Sequence, residues 1–511
     1  MIQGYAVADV RAAEDRVRAG LEDGELMLRA ARGLAEVVAI RARQQDAARI
    51  VVLAGGGDNG ADALYAAGML AGEHAVEVIG IATALHEPAA EAVHRAGVSV
   101  HLVDPEADAE LLPPAALAAL AEADLVVDGL LGIGGRAGLR GAMAAAVRAV
   151  PDGAYLLSVD LPSGADPAGL EALGEAVFAD ETVTFSMLKP VHLLPATEPA
   201  VGVLTVVEIG VRMEVPPAVE RLEHTDAADL WPVPGPADHK YTRGVVGVVA
   251  GSEGYPGAAV LCVTAALETG TGMVRYLGPR RAEDLVLASC PEAVPGPGRV
   301  QAAVVGPGID PQGCEEPECS DGQVQKVREA LDADTALVVD AGGLQTLAFW
   351  TRQSGRDGVP VEGKLRRRAA PTLLTPHAGE LASFLSTVEE APVTRDQVQE
   401  DPVGHARRAA ALTGAVVLLK GSSTLVVDPD PAVPVRVQAD APAWLATAGA
   451  GDVLAGVAGA LLAAGLAPRD AGSLAAYLHG RAAHRANPGG PVRARAVAAA
   501  IPATVADLLA V

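Results

Sequence analysis

The chain has 511 residues, 50% of them hydrophobic and 20% charged, with a formal net charge of -25. At ~150 residues per domain this length accommodates roughly two to four globular domains, and the apolar fraction excludes a disordered chain. So acidic a chain disfavours nucleic acid and anionic membrane surfaces as partners. Aromatic residues are only 3%, too few for base-stacking platforms, whereas Ala, Gly and Val suit close helix-on-sheet packing. An anionic ligand must then be held locally, by backbone N–H groups, helix N-termini or metal ions.

Four cysteines, Cys262, Cys290, Cys314 and Cys319, are few for this length and point to a reducing cytoplasm. Cys314 and Cys319 have a spacing that suggests a metal knuckle or a loop disulfide. No second Cys/His pair lies near, so the thiols are read as inert. The first twenty residues, MIQGYAVADVRAAEDRVRAG, carry charges where a signal peptide has its apolar core. Apolar stretches elsewhere are broken by Gly, Pro or charge before ~18 residues, so no transmembrane helix is predicted.

Along the chain, residues 7–47 alternate charged and apolar positions at helical spacing, as in Val10, Glu14, Val17 and Leu21. RIVVLAGGGDNGADALYAAGML then reads as a strand over Ile50 to Ala54, a glycine turn, and a helix from about Asp62. Further buried strands are predicted at 76–82, 98–103, 124–131, 155–162, 181–185 and 203–209, mostly separated by helical segments. This is the pattern of an open parallel α/β sheet, with the first domain spanning 1–215. Prolines 216, 217, 232, 234 and 236 crowd a stretch of little periodicity over 211–240, which places the boundary there. A second α/β series over 226–511 has strands at 244–251, 273–278, 302–308, 336–342, 372–377, 415–421 and 423–429. Segments 313–325 and 352–368 read as polar loops.

In the first half, glycines 55, 56, 57 and 60 sit between strand and helix. There backbone N–H groups can approach a phosphate, although a tight structural turn has the same composition. Asp128 and Asp160 each close a strand, and polar residues at the carboxyl ends of parallel strands face the ligand crevice. One strand-end Asp commonly caps the next helix. Here three strand ends converge, and oxygens from Asn59, Asp128 and Ser163 can surround a hard cation. Lys189 is one of only five lysines and follows a buried strand. It is either a surface residue or a proton-transfer or anion partner to Asp160.

The second half carries ATAGAGDVLAGVAGALLAAGL from Ala446. Gly449, Gly451 and the helix N-terminus form an anion hole, with Asp452 placed to take a proton from a substrate hydroxyl as a phosphoryl group arrives. TLLTPHAGE places His377 and Glu380 after a strand, and VVLLKGSSTLVVDP puts Lys420 and Gly421 between two strands. Either side chain alone reads as structural. Lys189, Lys240 and Lys420 nonetheless all fall within motif stretches.

The first half, over about residues 5–212, resembles the epimerase domain of the NAD(P)HX repair family. GGGDNGADA stands where that family has GxGNNGGDG, VDGLLGIG where it has VDALFGxG, and VDLPSG where it has VDIPSG. The glycine-rich loop and the TFxxxKP segment follow in order. The resemblance implies a Rossmann-like doubly wound fold and potassium held by Asn59, Asp128 and Ser163. It implies substrate contacts from Asp58, Asn59, Gly60, Ala61 and Asp62, from Gly132, Ile133, Gly134, Gly135, Arg136, Ala137 and Gly138, and from Asp160. Asp160 and Lys189 become the acid and base for inversion at C6 of a hydrated nicotinamide. Asp58 replaces the family's first Asn, and Ala61 and Ala63 replace glycines. A carboxylate beside a ligand pyrophosphate weakens binding unless it is neutralised.

The second half, over about residues 226–511, resembles the family's ribokinase-like dehydratase domain through HKYTRG, GSEGYPGAA, GPG, TPHAGE, KGSST and ATAGAGDVLAG. The resemblance implies substrate contacts from Ala258, Gly308, His377 and Asp452. It implies an adenine-nucleotide site at Lys420, Gly421, Ser422, Ser423, Thr424 and Gly451. Gly342 and Gln345 replace an Asp and an Asn of the family, and Ala450 replaces a Ser. Together the halves imply epimerisation of R and S NAD(P)HX and ADP-dependent, Mg2+-assisted dehydration of the S form, yielding AMP and phosphate. The expected partners are small molecules, with the chain a cytoplasmic homo-oligomer. The competing reading makes the second domain a small-molecule kinase, for a sugar or hydroxymethyl substrate, and the first a non-catalytic ligand-binding or oligomerisation module.

Overall fold

The computed structural model describes residues 1–106, 112–310, 322–353 and 367–510. The chain forms two compact units, one of Gln3–Val219 and one of Met1–Ile2 with Glu220–Val511. Both are α/β, as the patterning predicts. Cys314 and Cys319, and with them the knuckle reading, lie outside the described residues. Cys262 and Cys290 are free, buried thiols.

The first unit is built on a seven-stranded parallel sheet among the described residues. Its strands run in the order Ser99–Val103, Ala75–Ile81, Arg49–Ala54, Leu125–Gly129, Tyr155–Val159, Glu181–Phe185, Val203–Val207. Most central strands are continuous apolar runs such as IVVLA, as a sheet covered on both faces requires. Strand order reverses between Arg49–Ala54 and Leu125–Gly129, which opens the crevice beyond their carboxyl ends.

The second sheet runs Val219–Arg221, Val435–Gln438, Thr424–Val427, Val416–Leu419, Thr372–Leu374, Ala336–Val339, Ala302–Val305, Val245–Val249, Met273–Tyr276, Val294–Pro295. From Thr372–Leu374 onward the pairing is parallel, while Thr424–Val427 runs antiparallel to both its neighbours. Its switch point lies at Val245–Val249, between Met273–Tyr276 and Ala302–Val305. The helix Ala450–Ala463 is apolar on every side and buried along nearly its whole length. It packs against the helix Pro256–Glu268, and an ideal Cβ on Gly456 would stand 2.3 Å from the Cys262 carbonyl oxygen. Only glycine permits that approach.

Several sequence expectations change in detail. Residues 7–47 form two helices, Val7–Arg18 and Glu25–Gln44, because Gly24 at φ 77° starts the second afresh. The helix expected from Asp62 begins at Asp58, with extended Gly57 as its N-cap, so DNGAD is helix and not turn. The stretch over 211–240 contains the strand Val219–Arg221 and the helix His224–Leu230. Of the segments expected to be loops, 313–325 gives up its last residues to the helix Gly322–Asp332, and the helix Gly342–Gln353 reaches into 352–368. Their central parts lie outside the described residues. No described helix is long and apolar enough to cross a membrane.

Candidate functional site

In the first unit the switch point gathers three strand ends. Asp128, at the end of Leu125–Gly129, is fully buried. Its carboxylate accepts from Ser158 Oγ at 2.8 Å, Ser163 N at 2.9 Å, Ser163 Oγ at 2.6 Å and Leu130 N at 3.3 Å. Burial raises its pKa, and these four hydrogen bonds, led by Ser163, oppose the rise. Asn59 Nδ2 donates to the carbonyls of Val159 at 2.6 Å and Leu131 at 3.2 Å, while Leu131 N donates to Ser163 Oγ at 2.9 Å. Asn59, Asp128 and Ser163 are thus joined through Leu131. The donors to Asp128 are all neutral, so a buried carboxylate among carbonyl and hydroxyl oxygens fits a monovalent cation.

Gly132 leaves room for Asn59, because an ideal Cβ there would stand 2.2 Å from Asn59 Oδ1 and any other residue would displace that side chain. It opens the loop Gly132–Gly138, which Gly138 N ties to Gly164 O at 2.8 Å. Ile133 anchors this loop on Leu161, Ala165 and Val191, while Gly134 and Arg136 are exposed. Across the crevice, Asp58 is exposed in the first turn of its helix, and Asn59, Gly60, Ala61 and Asp62 are buried. Asp62 Oδ1 has no hydrogen-bond partner among the described residues. Burial pushes this carboxyl well above the usual range, and Asp160, Asp58 and Glu14 add to the shift. Glu14 is also raised, by burial first and against the pull of Lys189.

Asp160 adopts φ 65° just after its strand, a left-handed conformation that turns the chain sharply. Lys189, 1% exposed, places Nζ on Asp160 Oδ1. Thr184 Oγ1 donates to the same carboxylate oxygen at 3.0 Å and accepts from Lys189 Nζ at 3.1 Å. The surface alternative for Lys189 is therefore wrong: the strand Glu181–Phe185 and the turn after it carry the side chain inward. His192 also belongs here. Its Nδ1 accepts from Lys189 N at 3.0 Å, which leaves Nε2–H to donate to Asp160 O at 2.8 Å. Burial, with Lys189 adding, lowers its pKa to about 4, so it is neutral and holds the backbone of both partners. The sequence reading passed over Thr184 and His192, although both lie within five residues of Lys189.

The second unit's site also lies at strand carboxyl ends. Gly449, at φ 86°, caps the helix Ala450–Ala463, and Gly451 and Asp452 occupy its first turn. First-turn amides lack intrahelical acceptors and favour an anion. Lys420 extends from the end of Val416–Leu419, and Nζ lies 2.8 Å from Asp340 Oδ1 and 3.4 Å from Glu380 Oε2. An ideal Cβ on Gly451 would stand 3.3 Å from that Nζ. Burial pulls the ammonium down, but Asp340 and Glu380 outweigh it and leave its pKa raised. Asp452 is pushed up to about 7, first by burial and then by Asp340, with Lys420 pulling it back and Glu380 adding to the rise. It is therefore a titrating carboxylate near neutral pH.

His377 caps the helix Ala378–Glu389, accepting from Glu380 N at 3.1 Å, while Glu380 Oε2 accepts from His377 N at 2.8 Å. His377 pairs with Lys420 in an isolated parallel bridge, which brings both motifs to one place. Gly421, Ser422 and Ser423 form the hairpin into Thr424–Val427, with Gly421 and Ser422 exposed and Ser423 buried. At the neighbouring switch point, Gly308 stands against Ala258: an ideal Cβ on it would be 2.6 Å from the Ala258 Cβ. Asp340, held by Thr375 Oγ1 at 2.8 Å, was missed in the sequence. Its signal was available, since a Val-Asp pair ends a strand here as at Asp128 and Asp160. Among the described residues no three His, Cys, Asp or Glu side chains gather to hold a metal.

Comparison with known proteins gives the same division. A family model described as NAD(P)H-hydrate dehydratase matches residues 246–501, and one described as YjeF-related protein N-terminus matches residues 23–191. The bifunctional NAD(P)H-hydrate repair enzyme Nnr of Mycobacterium tuberculosis is 42% identical over 474 residues, 90% of this chain and 89% of its own. The corresponding Mycobacterium leprae enzyme is 40% identical, over 94% of this chain and 93% of its own. A crystal structure of an ADP/ATP-dependent NAD(P)H-hydrate dehydratase from Bacillus subtilis is 24% identical with a TM-score of 0.46, covering 56% of this chain and 97% of that one. With relatives this similar along nearly its whole length, the chain belongs to the family of bifunctional NAD(P)H-hydrate repair enzymes.

Proposed function

We propose that the chain repairs hydrated NADH and NADPH in a reducing cytoplasm, the first unit interconverting the R and S epimers and the second dehydrating the S epimer with ADP. The observation that carries this reading is Asp452, a carboxylate titrating at about 7 in the first turn of a glycine-capped helix. A general base works best with a pKa near the operating pH. Asp452 takes the proton of the C6 hydroxyl as its oxygen bonds to the β-phosphorus of ADP and the bond to AMP breaks. Amides of the Gly449–Gly451 turn meet the charge of the transferring phosphoryl group. Phosphate then leaves C6 with the C–O electron pair, a proton leaves C5, and the nicotinamide double bond is restored. Lys420 reaches the nucleotide phosphates from Asp340 and Glu380, and Ala258, Gly308 and His377 seat the nicotinamide. Magnesium enters as part of the nucleotide substrate.

In the first unit, Lys189 and Asp160 hold the proton that moves during inversion at C6, and His192 and Thr184 fix their orientation. Asp58 to Asp62 and the loop Gly132–Gly138 enclose the dinucleotide. Asn59, Asp128 and Ser163 would hold potassium, which offsets the buried Asp128 charge and steadies that loop.

The test is recovery of reduced-nicotinamide absorbance from both NADHX epimers with ADP, magnesium and potassium. Consumption of both epimers, faster than their spontaneous interconversion, is expected. Loss of the S form alone would overturn the epimerase half. No recovery with ADP or ATP would overturn the repair reading and favour a small-molecule kinase.

A further inference from the structure

The first-unit site is rich in carboxylates for a place that receives a diphosphate. Glu14, Asp58, Asp62 and Asp160 lie within one another's fields. The buried cation among them, Lys189, is committed to Asp160. Arg18, on the same side as Glu14, is committed to Asp15 at 2.9 Å. A dinucleotide with two negative phosphates therefore needs positive charge from elsewhere.

The helix Val7–Arg18 provides it. Arg11 and Glu14 are three residues apart and share a helix face. Glu14 feels Lys189, Asp160 and Asp58, which sets that face along the acid–base pair. One turn earlier, Arg11 reaches the glycine loop: an ideal Cβ on Gly134 would stand 3.3 Å from Arg11 Nη2. The side chain is exposed. Among the described residues no hydrogen bond or ion pair engages its guanidinium, although its planar fork matches a phosphate in two-point contact.

We propose that Arg11 is the binding residue that receives the diphosphate of the hydrated dinucleotide over the loop Gly132–Gly138, offsetting the carboxylate that Asp58 adds. This rests on the epimerase reading of the first unit. It makes the N-terminal helix a wall of the site, and Arg11 a determinant of substrate affinity and not of proton transfer.

The test uses the full chain, with epimer equilibration of NADPHX followed chromatographically without ADP, so that dehydration is silent. Arg11→Ala is expected to raise the epimerisation KM about tenfold or more, as for a lost hydrogen bond to a charged group. The kcat should stay within about twofold, because the contact is remote from the reacting carbon. Arg11→Lys should recover part of the affinity, and Arg11→Glu should lose more than alanine does. ADP-dependent dehydration by the same variants reports that the chain is folded and should be unchanged. An unchanged KM in Arg11→Ala and Arg11→Glu overturns the assignment of Arg11 while the epimerase reading stands. A fall in kcat at unchanged KM overturns it in favour of a structural role. Absence of epimerisation by the unaltered chain overturns the underlying reading instead.

Discussion

In the first unit a buried lysine sits directly on the carboxylate it serves, whereas in the second Lys420 sits on Asp340 and Glu380 and Asp452 stands apart. Lys189 and Asp160 form one hydrogen-bonded unit with Thr184, all three of them buried. Asp452 is tuned by surroundings it does not touch, through burial and the opposed fields of Asp340 and Lys420. The first arrangement suits a reversible inversion, in which acid and base exchange roles. The second suits a one-way transfer, in which a base takes a proton and a separate cation manages phosphate charge. The contrast teaches that the partner of a buried carboxylate is read from contacts in one case and from electrostatic range in the other.

The largest expected effect separates the two sites outright. Asp452→Asn should cost dehydration about 10²–10⁴-fold in kcat while epimerisation continues, measured on the two epimers separately. Dehydration near the original rate would remove Asp452 as the base. Next, Asp160→Asn should cost epimerisation a similar factor and spare dehydration. It also leaves Lys189 buried without its partner, a penalty of about 3–5 kcal/mol, so calorimetry should show the first unit melting early. Retention of both stability and epimerisation would break the paired picture.

Gly456→Ala should act on the second unit alone, destabilising it by about 1–3 kcal/mol through overpacking, visible as a lower melting transition with epimerisation intact. The smallest effect concerns pH. Dehydration should fall as pH drops through about 7, because only the deprotonated Asp452 accepts a proton. Lys420 pulls that pKa down, so Lys420→Met should move the acidic limb to higher pH, beyond any loss of nucleotide affinity. An unmoved limb would show that Lys420 and Asp452 are not coupled.

Much of this was legible in the sequence where chemistry requires a local pattern. The strand–glycine–helix units and the AGAGD turn carry their geometry in adjacent residues, and both α/β sheets follow from buried strand runs. What escaped depends on distant neighbours or very short elements. The strands Val219–Arg221, Val294–Pro295 and Val435–Gln438 span two to four residues, too few for a period to show. Asp340 matters because Lys420, 80 positions later, returns to it. His192 matters because its ring reaches the Asp160 carbonyl, 32 positions earlier. The early start of the helix at Asp58 was hidden because polar and glycine residues fill its first turn, where an apolar period is absent.

The seam at Gly456 has a consequence for how this enzyme changes over time. Ala258 rides on one of the two helices that meet there and Asp452 on the other. Where backbone meets backbone, no side chain with rotamers to spare lies between them. The seam leaves no room for a side chain at position 456, so the two helices are held at backbone distance there. A lineage adapting to warmth or to a bulkier substrate has no slack to draw on along it. Its accessible variation lies elsewhere, because any side chain added at Gly456 meets the Cys262 backbone.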